Sequence, residues 1–335
     1  MPTGRPTDDM QAVLDQFAKF GVPPIESLTP TAARNAPTFK NAAEEMLAES
    51  ATARVPSVAK PMPQPIGKID HITIPQQGGD LLARVFTPKG DGPFPVLVYF
   101  HGGGWVIANL DVYEPSCRAL CNEAECIVVS VAYRQAPEQK YPAAVEDAYA
   151  ATQWIINNAA SLGGDPARVA VAGESAGGNL AAVTCLKARD EGGRMPVAQL
   201  LVYPVTDARQ NTPSYTEQAN AKPLNAAMMK WFWNHYLENE SQGQEPYASP
   251  MMAQSLRGLP PAIVITDELD PLRDEGEAYA KRLADEGVSV DFKRFDGVAH
   301  EFFGLAGVVD KATEAVGFAA EGLKKVFETR SSATA

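Results

Sequence analysis

The chain has 335 residues, of which 45% are hydrophobic and 21% are charged, a composition typical of a globular protein with a large core. Its 29 basic and 41 acidic residues give a formal net charge of −12. Because negative charge repels phosphate backbones and anionic lipid headgroups, this balance argues against nucleic acid and membranes as partners.

The amino-terminal segment has neither the basic nor the apolar region of a signal peptide, and no apolar run reaches membrane-spanning length. We therefore expect a cytoplasmic protein. The four cysteines have no pair of C-x-x-C spacings, so we expect buried, reduced thiols. They are Cys117, Cys121, Cys126 and Cys185.

The first fifty residues predict two helices. Apolar side chains recur at helical spacing over residues 7–20. The threonine–proline pair at residues 29–30 indicates the start of a second helix that reaches about Ala48. Four prolines within residues 54–67 then indicate an extended connector.

From residue 67 the pattern changes to strands that alternate with helical segments. This alternation predicts a mostly parallel sheet with helices on both faces. The predicted strands are KIDHITIP, LLARVFTP, FPVLVYF, ECIVVSVAY, ARVAVAG, AQLLVYP, PPAIVIT and VSVDFKRF.

One gap breaks the alternation. Almost sixty residues separate the strand that ends near Tyr203 from the strand that starts near Pro261, and they include the helical segment NAAMMKWFWNHYLENE. Because ligands of open α/β sheets bind outside the carboxyl ends of the strands, we expect this insert to be a lid. The predicted division is an amino-terminal cap region (1–55), a first core segment (56–205), a cap insert (206–255) and a second core segment (256–335).

The segment GESAG, residues 173–177, fits the nucleophile-elbow pattern G-x-S-x-G between a predicted strand and a predicted helix. Such a turn strains the backbone of Ser175 and exposes its hydroxyl. Side chains at Gly173 and Gly177 would collide with the adjoining strand and helix. The alternative is a glycine turn that serves packing alone.

A serine nucleophile needs a base, and the sequence offers four histidines. His300 follows the last predicted strand and so belongs to the same sheet edge as Ser175. His71 lies in the first predicted strand, and His235 lies in the aromatic insert. His101 begins a glycine-rich loop, which leaves His300 as the predicted base.

The third group should be an acid on another strand-end loop, where it can orient the imidazole. Asp267, Glu268 and Asp270 all lie near the end of the seventh predicted strand. Spacing alone leaves the three open. We favour Asp270, which precedes Pro271 and lies in the loop itself.

The segment HGGGW directly follows the third predicted strand. Its glycines let the backbone approach a ligand and present N–H groups that side chains would otherwise block, as in an oxyanion hole. The predicted donors are the N–H groups of Gly103, Gly104 and Ala176. We expect His101 to hold the loop by hydrogen bonds and to transfer no proton.

These motifs together resemble the bacterial hormone-sensitive-lipase-like carboxylesterases, family IV of the α/β-hydrolases. The resemblance covers nearly the whole chain, through HGGGW, YRQAPE, YPAAVEDAYAATQWI, GESAGGNLA and DPLRDEGEAYA. It implies an α/β-hydrolase with a mostly parallel eight-stranded sheet and a helical cap formed by the amino-terminal helices and the insert. It also implies that Ser175 is the nucleophile, Asp270 the acid and His300 the base of an esterase that needs no metal or cofactor. A homodimer is an expectation at the level of the family.

The sequence departs from the family pattern at four positions. Glu174 stands where the family often has aspartate, and Gln135 and Gln139 stand where leucine and histidine are frequent. Glu301 follows the predicted base where glycine is common. Because a neighbouring carboxylate raises the pKa of an imidazole, Glu301 predicts an alkaline-shifted rate profile through His300.

The insert helix bears on substrate size. Met229 and Trp233 are four residues apart and share one face of the helix, and Met228 and Phe232 share a neighbouring face. Core packing within the cap is one interpretation of Met229 and Trp233. If they instead close the acyl pocket, as the resemblance implies, the enzyme hydrolyses short- to medium-chain esters.

Two other functions stay open at this stage. An amidase or another acyl hydrolase would use the same three groups with a different leaving-group pocket. A small-ligand receptor would use the pocket without turnover, typically after losing one of the three groups.

Overall fold

The structure is a computed structural model that describes residues 4–52 and 64–332. Its centre is one eight-stranded sheet, as the strand pattern predicts. The strands are β1 (Lys68–Ile74), β2 (Leu81–Thr87), β3 (Phe94–Phe100), β4 (Ile127–Val131), β5 (Gly164–Glu174), β6 (Gln199–Val202), β7 (Ala262–Leu269) and β8 (Val290–Ala299).

The sheet has the order β1-β2-β4-β3-β5-β6-β7-β8. Strand β2 is antiparallel to both of its neighbours, and the strands from β4 through β8 pair in parallel. The carboxyl ends of β3, β5, β7 and β8 therefore lie at one edge. This is the α/β-hydrolase arrangement that the motifs imply.

Ten helices occur in the described part of the chain, and they cover both faces of the sheet. They are α1 (Asp8–Lys19), α2 (Pro30–Arg34), α3 (Phe39–Thr52), α4 (Glu114–Glu123), α5 (Ala143–Asn158), α6 (Ala176–Asp190), α7 (Pro213–Glu217), α8 (Ala226–Tyr236), α9 (Arg273–Asp285) and α10 (Asp310–Ser332). Alternate residues of β3 show the two cores: Val96 and Val98 pack with α5 and α6, whereas Leu97 and Tyr99 pack with α4 and α10.

The amino-terminal region corrects one prediction. The first helix occurs as expected, but the single second helix to Ala48 is wrong, because the chain forms the separate helices α2 and α3. The break contains Pro37, which disfavours helical geometry at the residue before it. Most of the predicted connector over residues 54–67 lies outside the described residues, and so does the predicted boundary between residues 55 and 56.

The amino-terminal helices and the insert meet above the sheet edge. Helix α8 of the insert packs on the short 3₁₀ helix Ile25–Ser27. The guanidinium of Arg34 donates hydrogen bonds of 2.7 and 2.8 Å to the carbonyls of Val106 and Ala136, close to the HGGGW loop. These contacts give both regions the location of a cap, and the division of the chain into four segments stays a prediction.

The cysteines and the hydropathy of the helices bear on two further expectations. All four cysteines are buried free thiols, which confirms that prediction. None of the helices among the residues described has the length and apolar character that crossing a bilayer requires.

Candidate active site

Ser175 lies in a sharp turn between β5 and α6, with φ +58° and ψ −119°. Few non-glycine residues adopt such a backbone conformation. The flanking glycines have a steric reason: a Cβ on Gly177 would lie 1.9 Å from the carbonyl oxygen of Phe100, and one on Gly173 would lie 2.1 Å from the carbonyl oxygen of Gly177. The serine side chain makes no capping hydrogen bond to the helix that follows it and contacts His300 instead.

Three side chains form a hydrogen-bonded chain at the sheet edge. Nε2 of His300 lies 2.9 Å from Oγ of Ser175, and Nδ1 of His300 lies 2.6 Å from Oδ2 of Asp270. The other oxygen of Asp270 accepts a 2.8 Å hydrogen bond from the N–H of Leu272. All three residues are at least 96% buried, so these contacts are shielded from water.

The structure separates the three acids that spacing left open. Asp270 contacts His300, whereas the carboxylate of Glu268 accepts a 2.8 Å hydrogen bond from the N–H of Gly297. Asp267 is fully buried, and its oxygens have no hydrogen-bond partner among the described residues.

Opposing effects act on the pKa of His300. Burial lowers it, and the charge and hydrogen bond of Asp270 raise it, as do the charges of Glu301 and Glu174. The net result is a pKa above the ordinary value of 6.5.

The other three histidines have separate environments. His71 is exposed on β1, where it accepts a hydrogen bond from Arg84. His235 is half-buried, and its ring lies 4.4 Å from that of Trp231. His101 is buried, and burial lowers its pKa to about 4, so it is neutral near pH 7.

His101 holds the glycine loop in place. Its Nδ1 lies 2.7 Å from the carbonyl oxygen of Gly102, and its ring stacks on Tyr133 at 4.4 Å. The hydroxyl of Tyr133 donates a 2.8 Å hydrogen bond to the carbonyl of His101. These contacts hold the glycine loop at the end of β3.

The predicted oxyanion-hole residues border Ser175. Gly103 and Gly104 have φ values of +95° and +57°, in the region that favours glycine. A Cβ on Gly103 would lie 2.3 Å from the carbonyl oxygen of Ile107. Ala176 is the first residue of α6, where N–H groups lack acceptors within the helix. The three N–H groups donate to no other group in the described parts of the chain.

Residues of the cap line part of the cavity that contains Ser175. Its volume is about 20 Å³, enough for about one water molecule. Phe232 covers Gly104 so closely that a Cβ there would meet its ring at 2.2 Å. The lining residues are Gly103, Gly104, Ile107, Ser175, Pro223, Leu224, Met228, Phe232, His300 and Glu301.

This lining differs from the predicted substrate pocket. Met228 and Phe232, on the neighbouring helix face, line the cavity, whereas Met229 and Trp233 do not. Met229 is buried in the core, and the ring of Trp233 packs 4.8 Å from that of Trp105. The spacing correctly pairs the residues on each face, but packing decides how the helix is rotated.

Two acids near the serine have environments that the sequence did not predict. Glu174 is buried and accepts hydrogen bonds from the hydroxyls of Tyr99 and Tyr203. Glu301 is half-buried, lines the cavity and has φ +68°, which explains why glycine suits this position. Burial raises the pKa of both carboxyls.

One group of side chains in the described regions has the composition of a metal site. Ligand atoms of Asp267, Asp270 and His300 lie within 4.8 Å of one another. Both ring nitrogens of His300 are already engaged, one by Asp270 and the other by Ser175. A metal ion on His300 would have to displace one of these partners.

Comparison with known proteins assigns this chain to a family. The sequence profile described as the alpha/beta hydrolase fold matches residues 97–304. The chain belongs to the α/β-hydrolase family. Carboxylesterase NlhH of Mycobacterium tuberculosis is 43% identical to this hydrolase over 265 residues, which cover 78% of this chain and 83% of NlhH.

Further relatives agree with this assignment. Carboxylic ester hydrolase LipN of M. tuberculosis is 42% identical over 78% of this chain and 71% of its own length. The solved structure of an esterase from Pyrobaculum calidifontis is 38% identical, has a TM-score of 0.83, and covers 96% of this chain and 98% of its own. The resemblance to hormone-sensitive-lipase-like carboxylesterases is therefore confirmed.

Proposed function

We propose that this hydrolase is a serine carboxylesterase that cleaves short- to medium-chain esters through an acyl-enzyme intermediate. The observation that carries the proposal is the chain of hydrogen bonds from Ser175 through His300 to Asp270, at 2.9 and 2.6 Å. The relatives named as carboxylesterases support the same activity.

In the proposed reaction, Nδ1–H of His300 donates to Asp270, which leaves Nε2 free to accept a proton. Nε2 takes the proton of Ser175, and Oγ attacks the ester carbonyl carbon. His300 then gives this proton to the leaving alcohol, and an acyl-enzyme remains. Water repeats the sequence: His300 accepts its proton, the new hydroxyl attacks, and the proton returns to Ser175 as the acid leaves.

The tetrahedral intermediates carry a negative oxygen that needs hydrogen-bond donors. We assign this role to the N–H groups of Gly103, Gly104 and Ala176. Their position beside Ser175 and the lack of other acceptors in the described residues support the assignment. Because fixed donors need no reorganisation during the reaction, they stabilise the transition state more than water does.

The small cavity supports the limit on acyl length. Met228 and Phe232 line the same cavity as Ser175, and its volume is about 20 Å³. A substrate must displace these side chains, and displacement becomes more demanding as the acyl chain grows. We infer that Met228 and Phe232 set this limit.

The test compares p-nitrophenyl butyrate hydrolysis by the wild type and by Ser175→Ala. We expect kcat to fall by about 10⁶-fold, as when a catalytic serine is removed elsewhere. Ser161→Ala is the control, since this serine is exposed and its hydroxyl donates to the carbonyl of Asn158. Circular dichroism checks the fold of each variant.

Two results would contradict the proposal. One is a folded Ser175→Ala variant that keeps wild-type turnover. The other is a folded wild type with no activity on short esters. A parallel assay with the matching anilide distinguishes an esterase from the amidase alternative. The cytoplasmic location and the homodimer stay predictions from the sequence.

A further inference from the structure

Asp267 is a buried acid that the proposed reaction does not use. It lies on β7, three residues before Asp270, and its side chain is fully buried. Neither of its carboxyl oxygens has a hydrogen-bond partner among the described residues. Burying a polar group without a partner is costly, and burying an unpaired charge costs more.

The surroundings of Asp267 hold little to balance a charge. One of its oxygens lies within 4.8 Å of an oxygen of Asp270 and a ring nitrogen of His300. The cation that acts on it is Arg273, but that guanidinium binds the carboxylates of Glu217 and Asp274 at 2.7 and 2.8 Å. No ion pair joins Asp267 to a cation in the described regions.

Two adjacent carboxylates have no donor between them and repel each other, so they favour a state with one shared proton. The hydrogen bonds identify which acid holds it. Asp270 already accepts from the N–H of Leu272 and faces Nδ1 of His300. Asp267 accepts from no other residue in the described structure, so protonating it forfeits no hydrogen bond to a neighbour. Burial and the charge of Asp270 raise the pKa of Asp267 well above its ordinary value of 3.8, which agrees with a proton on Asp267.

We propose that Asp267 is held as a neutral carboxylic acid whose O–H donates to Asp270, and that it is thereby a positioning residue for the acid of the triad. The inference deepens the proposed function and rests on it. The O–H holds the Asp270 carboxylate towards His300. By donating to Asp270, the O–H also weakens the effect of the Asp270 charge on His300, which limits the rise in the pKa of His300. A second carboxylate here would raise the pKa of His300 further, so less of the imidazole would be in the neutral form that accepts the serine proton at neutral pH.

The protonation state can be measured without turnover, by infrared spectroscopy. The difference spectrum of wild type minus Asp267→Asn at pH 7 should contain the carbonyl band of a protonated carboxyl. The same difference should persist in a Ser175→Ala background, where the enzyme has no activity. The proposal is therefore testable even if the esterase assignment fails. If the lost bands are instead those of a carboxylate, the proposal is wrong.

The positioning role is tested by the acid limb of the kcat/KM profile. Asparagine is neutral and can donate its amide N–H to Asp270, so Asp267→Asn should keep the limb unmoved and kcat/KM within about threefold of wild type. Asp267→Ala removes the donor, so the limb should move to higher pH and kcat should fall by about tenfold. Glu268→Gln is the matched control on the same strand, with no expected shift.

The contrary outcomes are distinct. If Asp267→Asn moves the acid limb to lower pH, the wild-type side chain was a carboxylate that stabilised protonated His300. If folded Asp267→Ala matches wild type in both kcat and limb, Asp267 positions nothing. If Glu268→Gln shifts the limb as much, the effect is general electrostatics. Each of these results overturns the proposal.

Discussion

The sheet edge and the cap contribute opposite walls of the same small cavity, and they differ in how they are specified. Ser175, Asp270 and His300 follow β5, β7 and β8, whose carboxyl ends a parallel sheet brings to one edge. Helix α8 of the cap offers two neighbouring apolar faces, and either could face the serine. Topology therefore brings the three proposed catalytic side chains together, whereas side-chain packing decides which cap residues line the cavity.

Outside the three proposed catalytic side chains, the largest expected effect is on the sheet-edge side of this comparison. Gly103→Ala places a Cβ 2.3 Å from the carbonyl oxygen of Ile107 at φ +95°, so the loop must shift and its N–H groups must leave the oxyanion position. We expect kcat to fall by about 10²–10³-fold, the cost of losing one such donor. Initial rates with p-nitrophenyl butyrate measure the effect.

Gly79→Ala provides the control for backbone strain. Gly79 also has positive φ, +118°, but nothing lies within 4 Å of an added Cβ. This variant should lose stability and keep its turnover. If Gly103→Ala retains wild-type kcat, the loop does not supply the donors that we assign to it.

The sequence predicts the sheet edge well because strong local signals coincide there. Each of the eight strands occurs where its apolar pattern indicates, and the glycines around Ser175 are required by contacts of 1.9 and 2.1 Å. Spacing alone does not decide which of Asp267, Glu268 and Asp270 contacts the histidine. These acids lie within four residues of one another. In the turn after β7, the N–H of Leu272 donates to one oxygen of Asp270, and the other oxygen faces His300.

The sequence predicts the cap less well for a physical reason. A periodicity of 3.6 residues says which side chains share a face of α8, but the neighbours that orient this helix come from distant parts of the chain. The stack of Trp105 on Tyr236 and its contact with Trp233 turn one face inward to the core. Met228 and Phe232 are left over the serine.

The second expected effect sharpens this distinction between the helix faces. Phe232→Ala should enlarge the cavity and raise the ratio of octanoate to butyrate hydrolysis by about tenfold, equivalent to burying about two further CH₂ groups at about 0.8 kcal/mol each. Met229→Ala removes a buried side chain of the other face and should leave the ratio unchanged. The measurement is kcat/KM for p-nitrophenyl esters of increasing acyl length. A ratio that rises in Met229→Ala and stays unchanged in Phe232→Ala would identify the face containing Met229 and Trp233 as the acyl wall.

The smallest expected effect concerns Glu301, which lines the cavity beside Ser175 and His300. Its carboxylate raises the pKa of His300, and protonated His300 cannot accept the serine proton, so kcat/KM should fall as pH falls through this raised pKa. Glu301→Gln removes the charge and should move the acid limb to lower pH. Glu301→Gly should move it equally, and it should also stabilise the fold by about 1 kcal/mol, because glycine adopts φ +68° without strain. A limb that moves only in Glu301→Gly would assign the effect to the backbone turn and leave the carboxylate without influence on His300.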